Sequence, residues 1–457
     1  MNKLQDYIDA NKEKFREELF DLLRIPSIST SSKNKDDVKK AAQFLVNQLK
    51  EIGLDDVTIH ETKGHPIITA ERCPHEDQPT VLVYGHYDVQ PSDPDEMWNS
   101  PPFEPTVKEG RVYARGASDD KGQSFTHIKA VEAYMKTGTE LPVNVKFILE
   151  GEEEIGSPHL IPFIKDHKGL LSCDMVLISD TAMFGEDQPS ITYGLRGLAY
   201  LEIEVTGPYR DLHSGVYGGA VQNPANLLCE MIAKLKNSDG KISIPGFYDD
   251  VEPLTDEERE VIHELPFDEE EFKKSLSLNE VDGEEGYSSH ERATVRPSLD
   301  VNGLWSGYQG EGAKTVLPSN AGAKVSMRLV PNQDPKKVAK QFTEYIHSLT
   351  PNTVEVEVME HHGGHPIVID LDFYGLKAAA KAFEDVYQKE VLFSREGGSI
   401  PIVADFKKVL GVNSILMGFG LTKDALHSPN ESFSLKDFHR GIKTSARFFE
   451  ILPDFVE

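Results

Sequence analysis

Residues 80–91 read TVLVYGHYDVQP, so a run of apolar residues leads directly into His86 and Asp88. In open α/β sheets, ligands bind at the carboxyl ends of the strands, and His86 stands at such an end. One residue separates the two polar side chains, so on an extended chain they point to the same side, where the carboxylate can orient the imidazole. A lone histidine at a strand end is more often structural than functional. The stretch nevertheless predicts a buried strand with a candidate metal ligand at its end.

A second polar motif, RGASDDKG, places Asp119 and Asp120 side by side before a predicted helix over residues 121–136. One of these aspartates is explained as an ordinary helix N-cap, which accepts backbone N–H groups. Two adjacent carboxylates repel each other unless a cation neutralises them. The motif therefore favours metal binding over capping alone.

A third motif, FILEGEEEIGS, ends a predicted buried strand with Glu150, Glu152, Glu153 and Glu154. A solvated acidic loop is the simplest interpretation of such a run. This run, however, follows a buried strand at the same predicted sheet edge as His86. Clustered carboxylates in that place can bind metal while one of them stays free as a general base.

Two further candidate ligands complete the set. Asp180 ends the predicted strand MVLISD, and His427 lies in the late loop DALHSPNE. A catalytic metal with three protein ligands keeps an open position, and one shared carboxylate allows five ligands to serve two ions. Two ions about 3.5–4 Å apart can hold a hydroxide and polarise a carbonyl at once. The residues thus predict amide-hydrolysis chemistry.

The chain has 457 residues, more than a single core usually supports, so two domains are expected. Helical and short apolar segments alternate up to about residue 193, as in a doubly wound α/β sheet. From Leu198 the pattern changes to the strict alternation of LAYLEIEV, and the larger pattern returns only after HHGGHPIVID. The sequence predicts a doubly wound α/β domain interrupted by a smaller α+β unit.

The formal net charge is −28, which disfavours nucleic acid and anionic membranes as partners but attracts divalent cations. Residues 249–285 hold sixteen acidic and three basic residues, and we interpret them as a solvated surface insertion. No apolar run approaches the roughly 20 residues that a membrane-spanning helix needs.

Features of the sequence also bear on the compartment. The three cysteines, Cys73, Cys173 and Cys229, are widely separated and show no CxxC spacing, which fits free thiols in a reducing compartment. Residues 1–23 lack the apolar core of a signal peptide. They predict a packed helix with apolar residues along one face: Leu4, Ile8, Phe15, Leu19 and Leu22. A cytoplasmic protein is expected.

Taken together, the motifs resemble those of the M20 metallopeptidases, and within them the carnosinase-like cytosolic dipeptidases. The resemblance covers nearly the whole chain, in the family's order, through GHYDVQP, SDDKG, EGEEEIGS, DLHSGVYGG, KTVLP, REGGSIP and HSPNE. It implies a zinc-peptidase-like catalytic domain over residues 1–193 and 367–457. It also implies an inserted lid and dimerisation domain over residues 194–366, and hence a homodimer.

The resemblance further implies two divalent ions per subunit, Zn²⁺ or Mn²⁺, held by five side chains: His86 and Asp180 for one ion, Glu154 and His427 for the other, and Asp119 between them. Asp88 resembles the residue that supports His86. Glu153 matches the family's general base. Its neighbour Glu152 is the alternative, although the family has a less acidic residue there.

For the substrate, the resemblance implies that His213 reaches across the dimer to the oxygen of the scissile carbonyl. Arg328 and Ser399, with Thr315 and Gly398 nearby, match residues that contact the terminal carboxylate. An arginine fork suits a planar carboxylate, which an exopeptidase must recognise. By sequence alone, Arg328 could instead form a surface ion pair, and the segment GGS could be only a turn.

A dipeptidase acting on small peptides is therefore the expected function. An N-acyl-amino-acid deacylase would use the same metals and the same arginine, and is the nearest alternative. A dinuclear phosphoesterase would normally need a basic cluster or a glycine-rich phosphate loop, and neither is evident. A non-catalytic binding protein would have lost a ligand or the base, and none is missing.

Overall fold

The computed structural model describes residues 2–456. Its α-helices, in chain order, are α1 (Asn2–Ala10), α2 (Lys12–Leu23), α3 (Lys35–Ile52), α4 (Lys121–Thr137), α5 (Leu160–Asp166), α6 (Ser214–Tyr217), α7 (Pro224–Ala233), α8 (Asp256–Glu264), α9 (Glu269–Ser275), α10 (Ser289–Thr294), α11 (Pro335–Ser348), α12 (Tyr374–Tyr387), α13 (Pro401–Leu410) and α14 (Leu435–Ile451).

The strands are β1 (Asp55–His60), β2 (Ile67–Arg72), β3 (Thr80–His86), β4 (Thr106–Lys108), β5 (Arg111–Tyr113), β6 (Asn144–Glu150), β7 (Met175–Ile178), β8 (Ala182–Met183), β9 (Ser190–Leu195), β10 (Gly197–Thr206), β11 (Leu212–His213), β12 (Ser298–Ser306), β13 (Val316–Leu317), β14 (Asn320–Leu329), β15 (Glu355–Gly364), β16 (Ile367–Val368), β17 (Leu392–Glu396), β18 (Asn413–Leu416), β19 (Gly420–Leu421) and β20 (Ser432–Ser434).

The chain divides into two compact units. Unit 1 comprises Met1–Tyr193, Ile369–Ser394 and Asp405–Glu457, and unit 2 comprises Gly194–Val368 and Arg395–Ala404. Each unit has its own hydrophobic core. None of the helices in the described part of the chain combines the length and the apolar character that crossing a membrane would require.

Unit 1 is built on a mixed sheet with the strand order β1-β2-β6-β3-β7-β18-β9. The central strands β6, β3, β7 and β18 run parallel, whereas the pairings at both edges are antiparallel. Parallel strands are usually buried on both faces, which explains why β3 and β7 are almost wholly apolar. The predicted α/β class is confirmed.

Local sequence signals explain several elements of unit 1. Helix α3 ends where Gly53 adopts a φ of +93°, a conformation that glycine reaches without the penalty of a Cβ atom. The five apolar residues predicted to pack near the N-terminus are all buried: Leu4, Ile8, Phe15, Leu19 and Leu22. They lie on two helices rather than one, because α1 ends at Ala10 and α2 begins at Lys12.

Helix α4 is buried from Lys121 to Tyr134, including two lysines. The ammonium group of Lys129 is compensated by Glu18 and Glu132 at 2.7 and 2.8 Å and by the amide oxygen of Gln48 at 2.7 Å. A buried charge is tolerated only when it is paired and hydrogen-bonded in this way. The helix that follows the SDDKG motif is thus fixed in the interior of unit 1.

Unit 2 contains a four-stranded antiparallel sheet with the order β12-β14-β10-β15. Strand β10 alternates buried and partly exposed residues, as the LAYLEIEV pattern predicted, because only one of its faces joins the core. Residues 249–285 carry α8 and α9, and most of their acidic side chains are at least partly exposed. This exposure agrees with a solvated insertion.

Candidate metal centre

The candidate ligands gather at one edge of the unit 1 sheet. His86 is the last residue of β3, Glu150 ends the neighbouring β6, and Asp180 lies two residues beyond β7. Because β6, β3 and β7 run parallel, their carboxyl ends meet at the same edge. Asp119 lies in the loop before α4, and His427 in the loop before β20.

The first group of ligand atoms comes from His86, Asp119 and Asp180, which each offer one atom within 4.8 Å of the others. His86 Nε2 lies 3.1 Å from Asp119 Oδ1 and 3.9 Å from Asp180 Oδ2. The imidazole is buried, yet this nitrogen makes no hydrogen bond of normal geometry. A buried nitrogen without a hydrogen-bond partner fits a metal ligand better than a core histidine.

The second group shares Asp119 with the first and adds Glu154 and His427. His427 Nε2 lies 2.9 Å from Asp119 Oδ2 and 3.4 Å from Glu154 Oε2. Asp119 therefore turns one carboxylate oxygen toward each group. Two ligands of one ion, each roughly 2.0–2.2 Å from it, are at most about 4.4 Å apart. These distances fit two ions that share one carboxylate.

The cluster has more negative charge than its protein surroundings compensate. Burial and the charge of Asp119 raise the pKa of Asp180 well above its ordinary value. Burial likewise raises the pKa of Glu153 to about 7, and repulsion from Glu154 adds to the shift. Hydrogen bonds to Asp119 and Glu154 raise the pKa of His427 to about 10. Divalent cations would relieve this excess of negative charge, so the donor set fits metal ions.

The two candidate general bases, Glu152 and Glu153, have different surroundings. The Glu152 carboxylate accepts a hydrogen bond from the His65 backbone N–H at 3.0 Å and lies 2.8 Å from His159 Nδ1. Among the described residues, no donor is hydrogen-bonded to the Glu153 carboxylate. Glu152 is thus held by the protein, whereas Glu153 is left available for a water molecule or a substrate.

Asp88 and Gln90, both within the GHYDVQP motif, connect the ligand-bearing segments. His86 Nδ1 lies 3.2 Å from the Asp88 carbonyl oxygen and 3.5 Å from its carboxylate. That carboxylate accepts the backbone N–H groups of Glu153 at 3.2 Å and Glu154 at 3.1 Å. Gln90 Nε2 donates to Glu154 Oε2 at 2.7 Å. Asp88 therefore fixes the glutamate segment as well as the imidazole.

Asp120 is not the helix cap that the sequence allowed. It occupies the N-cap position of α4, but its side chain accepts no hydrogen bond from the first turn of the helix. Its Oδ2 accepts the backbone N–H of His86 at 3.3 Å, and its Oδ1 is buried without a hydrogen-bond partner. Asp120 thus joins the loop before α4 to the end of β3.

In unit 2, Arg328 Nη1 donates to Ser399 Oγ at 2.9 Å, and this hydroxyl donates to the Arg196 carbonyl at 2.5 Å. The Arg196 guanidinium donates to the carbonyls of Gly397, Arg292 and Arg296. Burial and the charge of Arg328 lower the pKa of Arg196 to about 10. Within the described residues, neither guanidinium forms an ion pair with a carboxylate, although the chain is strongly acidic. The pair is suited to an external anion.

His213 is exposed and lies on β11, which pairs with β13 next to Thr315. The backbone N–H of Ser214 donates to the Thr315 carbonyl at 3.1 Å. His213 Nδ1 accepts the Gly215 N–H at 3.0 Å, so a neutral ring carries its proton on Nε2. Gly398 is exposed, and a Cβ atom there would meet nothing within 4 Å.

Three residues with contacts near the candidate sites were not predicted from the sequence: Gln90, Arg196 and Glu431, which accepts the backbone N–H of Asp119. Gln90 and Glu431 lie within the motifs GHYDVQP and HSPNE, but a motif does not reveal which partner a side chain contacts. Arg196 has only the weak signal of an arginine between apolar residues in GLRGLAY. Their contacts depend on tertiary structure alone.

Comparison with known proteins identifies the family. Residues 82–451 match the family model described as "Peptidase family M20/M25/M40". The chain belongs to this family. It is 36% identical over 471 residues to the Cys-Gly metallodipeptidase DUG1 of Candida albicans, covering 97% of this chain and 96% of that protein.

Two solved structures share the fold over nearly the full length. Human carnosine dipeptidase 1 is 30% identical with a TM-score of 0.86, covering 99% of this chain and 98% of that one. The M20 metallo-carboxypeptidase Sso-CP2 of Sulfolobus solfataricus is 33% identical with a TM-score of 0.88, covering 96% and 99%.

Proposed function

We propose that this chain is a dinuclear-metal dipeptidase that cleaves the peptide bond of dipeptides with a free C-terminal carboxylate. The observation that carries the proposal is Asp119, whose two carboxylate oxygens face two separate groups of ligand atoms. Relatives named as a Cys-Gly metallodipeptidase and a carnosine dipeptidase support dipeptides as the substrate class.

Five side chains would hold the two ions, with Zn²⁺ and Mn²⁺ equally suited to such mixed ligands: His86 and Asp180, Glu154 and His427, and Asp119 between the pairs. When bound, the ions would polarise the scissile carbonyl and bring the pKa of water near neutrality. Glu153 would accept the proton of the attacking water and deliver it to the leaving amine. Asp88 would keep His86 and the backbone of Glu153 in place.

The assay that tests the function compares free dipeptides with N-acetyl and N-succinyl amino acids of matched side chains, using the metal-loaded protein. A dipeptidase is expected to hydrolyse at least some dipeptides with a far higher kcat/KM than any N-acyl amino acid. The reverse order would establish the deacylase instead. No contact among residues 2–456 favours that alternative.

Recognition of the substrate carboxylate is assigned to Arg328 and Ser399, with Thr315 and Gly398 proposed as further contacts. The guanidinium groups of Arg196 and Arg328, which form no ion pair with a described carboxylate, support this role. Amidated dipeptides are expected to be poorer substrates by about 10²-fold, because a desolvated charge pair contributes roughly 2–5 kcal/mol.

In an Arg328→Met variant this discrimination should nearly vanish. Arg259→Met, which removes a partly exposed arginine of the same unit, should preserve it. The measurement is kcat/KM for each dipeptide and its amide. Equal values for the two forms with the unchanged enzyme would exclude a carboxylate requirement.

His213 is proposed to act in trans within a homodimer, as a donor to the carbonyl oxygen of the substrate bound by the partner chain. Its Nδ1 accepts a backbone N–H, which leaves Nε2 to act as a donor. Such a donor is often worth about 3 kcal/mol, so His213→Ala should lower kcat by roughly 10²-fold.

Mixing inactive chains tests the action in trans. A His213→Ala chain and a Glu153→Gln chain are each expected to be nearly inactive, but their heterodimer should regain one working site with an intact base and a borrowed histidine. If mass spectrometry shows the heterodimer and activity stays absent, His213 does not act in trans.

A cytoplasmic location is also proposed. All three cysteines are free in the structure, and two of them, Cys73 and Cys229, are exposed. Exposed thiols of this kind are typical of a reducing compartment.

A further inference from the structure

The buried carboxylate of Glu431 connects two segments that carry proposed metal ligands. Its Oε1 accepts the backbone N–H groups of Ser118 at 2.9 Å and Asp119 at 3.1 Å. Its Oε2 accepts Arg115 Nη1 at 2.8 Å and the Gly116 N–H at 2.9 Å. Four donors from residues 115–119 therefore converge on one side chain that is fully shielded from solvent. No part of the function proposed above uses it.

The loop that carries His427 runs from Asp424 to Glu431, and Asp424 is a second buried carboxylate at its other end. Asp424 Oδ2 accepts the Ser118 hydroxyl and the Leu421 N–H, each at 2.8 Å, and its Oδ1 contacts the Arg111 guanidinium. The loop that carries His427 is thus tied at both ends, through Asp424 and Glu431, to the segment that carries the shared ligand.

Between these two ties the backbone adopts unfavoured conformations. Three residues of this loop have positive φ values: Ala425 (58°), His427 (58°) and Asn430 (65°). Residues other than glycine rarely adopt such values. His427 is largely exposed, and within the described part of the chain its ring nitrogens contact only Asp119 and Glu154. The hydrogen bonds of Asp424 and Glu431 to residues 115–119 therefore hold the loop in the conformation that directs the imidazole toward Asp119.

His86 is held differently. It ends the buried strand β3, its N–H donates to Asp120, and its ring contacts the Asp88 carbonyl. The segment before α4 also has a tie of its own, since Gln123 Nε2 donates to the Ser118 carbonyl at 3.0 Å. Loss of the Glu431 tie should release the His427 loop more than it disturbs His86.

We propose that Glu431 is a positioning residue that aligns His427 with Asp119 and thereby sets the affinity for the ion held by Glu154 and His427. The inference rests on the proposed metal centre. Groups that orient metal ligands from behind typically change metal affinity by about 10–100-fold when they are replaced. The predicted weakening is confined to one of two binding events.

The test is a Zn²⁺ titration of the metal-stripped protein against a chromophoric chelator, which resolves two dissociation constants. Glu431→Gln should weaken one binding event by roughly 10–100-fold and leave the other nearly unchanged. His427→Ala should weaken the same event, and the double variant should be no weaker there than His427→Ala alone, because both changes act through one ligand. Glu132→Gln removes an equally buried, ion-paired carboxylate of unit 1 and should alter neither event.

Equal weakening of both events, no weakening, or additive losses in the double variant would overturn the proposal. If Glu431→Gln lacks the native circular dichroism spectrum, Glu431→Asp is measured instead, with the same selective weakening expected. Failure of both variants to fold would assign Glu431 to the fold and also overturn the proposal. If the unchanged protein binds no Zn²⁺, the proposed function itself fails. If it binds two ions that Glu431→Gln leaves unaffected, only this inference fails.

Discussion

Replacement of Asp119 by alanine is expected to lower bound metal at both positions and to reduce kcat/KM by roughly 10³-fold or more, because metal ions contribute several kcal/mol to transition-state stabilisation. Asp119 offers Oδ1 to the group with His86 and Oδ2 to the group with His427. Its removal takes a ligand from each ion at once. The carboxylates of Asp180 and Glu154 would then have less cation charge to compensate them.

The matched comparison is His427→Ala, which removes a ligand from one group only. That variant should keep one tightly bound ion per chain, whereas Asp119→Ala should keep neither tightly. Metal content measured after dialysis, with elemental analysis, distinguishes the two. Two ions bound per chain in Asp119→Ala would contradict the bridging role.

The second large effect concerns Glu153. Glu153→Gln is expected to retain both ions and the fold but to lose turnover by about 10²–10⁴-fold, the usual contribution of a general acid–base group. Glutamine has nearly the same shape as glutamate but cannot accept a proton at the required position. Because no described donor occupies the Glu153 carboxylate, its replacement should disturb little of the surrounding structure.

Glu152→Gln is the natural control, since it changes the adjacent carboxylate. Glu152 is engaged by His65 and His159, so this variant should lose some stability but keep most of its kcat. Steady-state kinetics on one dipeptide, together with metal content, test both variants. A near-normal kcat for Glu153→Gln together with an inactive Glu152→Gln would assign the general base to Glu152 instead of Glu153.

The sheet of unit 1 could be predicted because each central strand has a strong local signal. The apolar runs that become β3, β6 and β7 each lead into polar residues, and parallel strands place those ends at one edge. Two of the proposed ligands, His86 and Asp180, follow from the same logic, whereas Asp119 and His427 lie in loops. A strand end fixes the position of a side chain with little help from the rest of the fold.

What the sequence could not provide depends on contacts between distant segments. The family resemblance favoured Glu153 over Glu152 as the base, but the contact that distinguishes their surroundings could not be predicted, since His65 is remote in sequence and meets Glu152 only in the folded chain. The role of Glu431 rests on backbone N–H groups more than 300 residues away. Backbone donors have no sequence signature. The break between α1 and α2 at Asn11 was likewise hidden, since the apolar face continues across it.

Two metal ions held in unit 1 are proposed to make this chain a dipeptidase. Its most direct test follows the hydrolysis of one free dipeptide while Zn²⁺ or Mn²⁺ is added stepwise to the metal-stripped protein and bound metal is counted. Activity should be absent without metal and reach its plateau at two ions per chain. Full activity in the stripped protein, or a plateau at a single ion, would contradict a dinuclear mechanism.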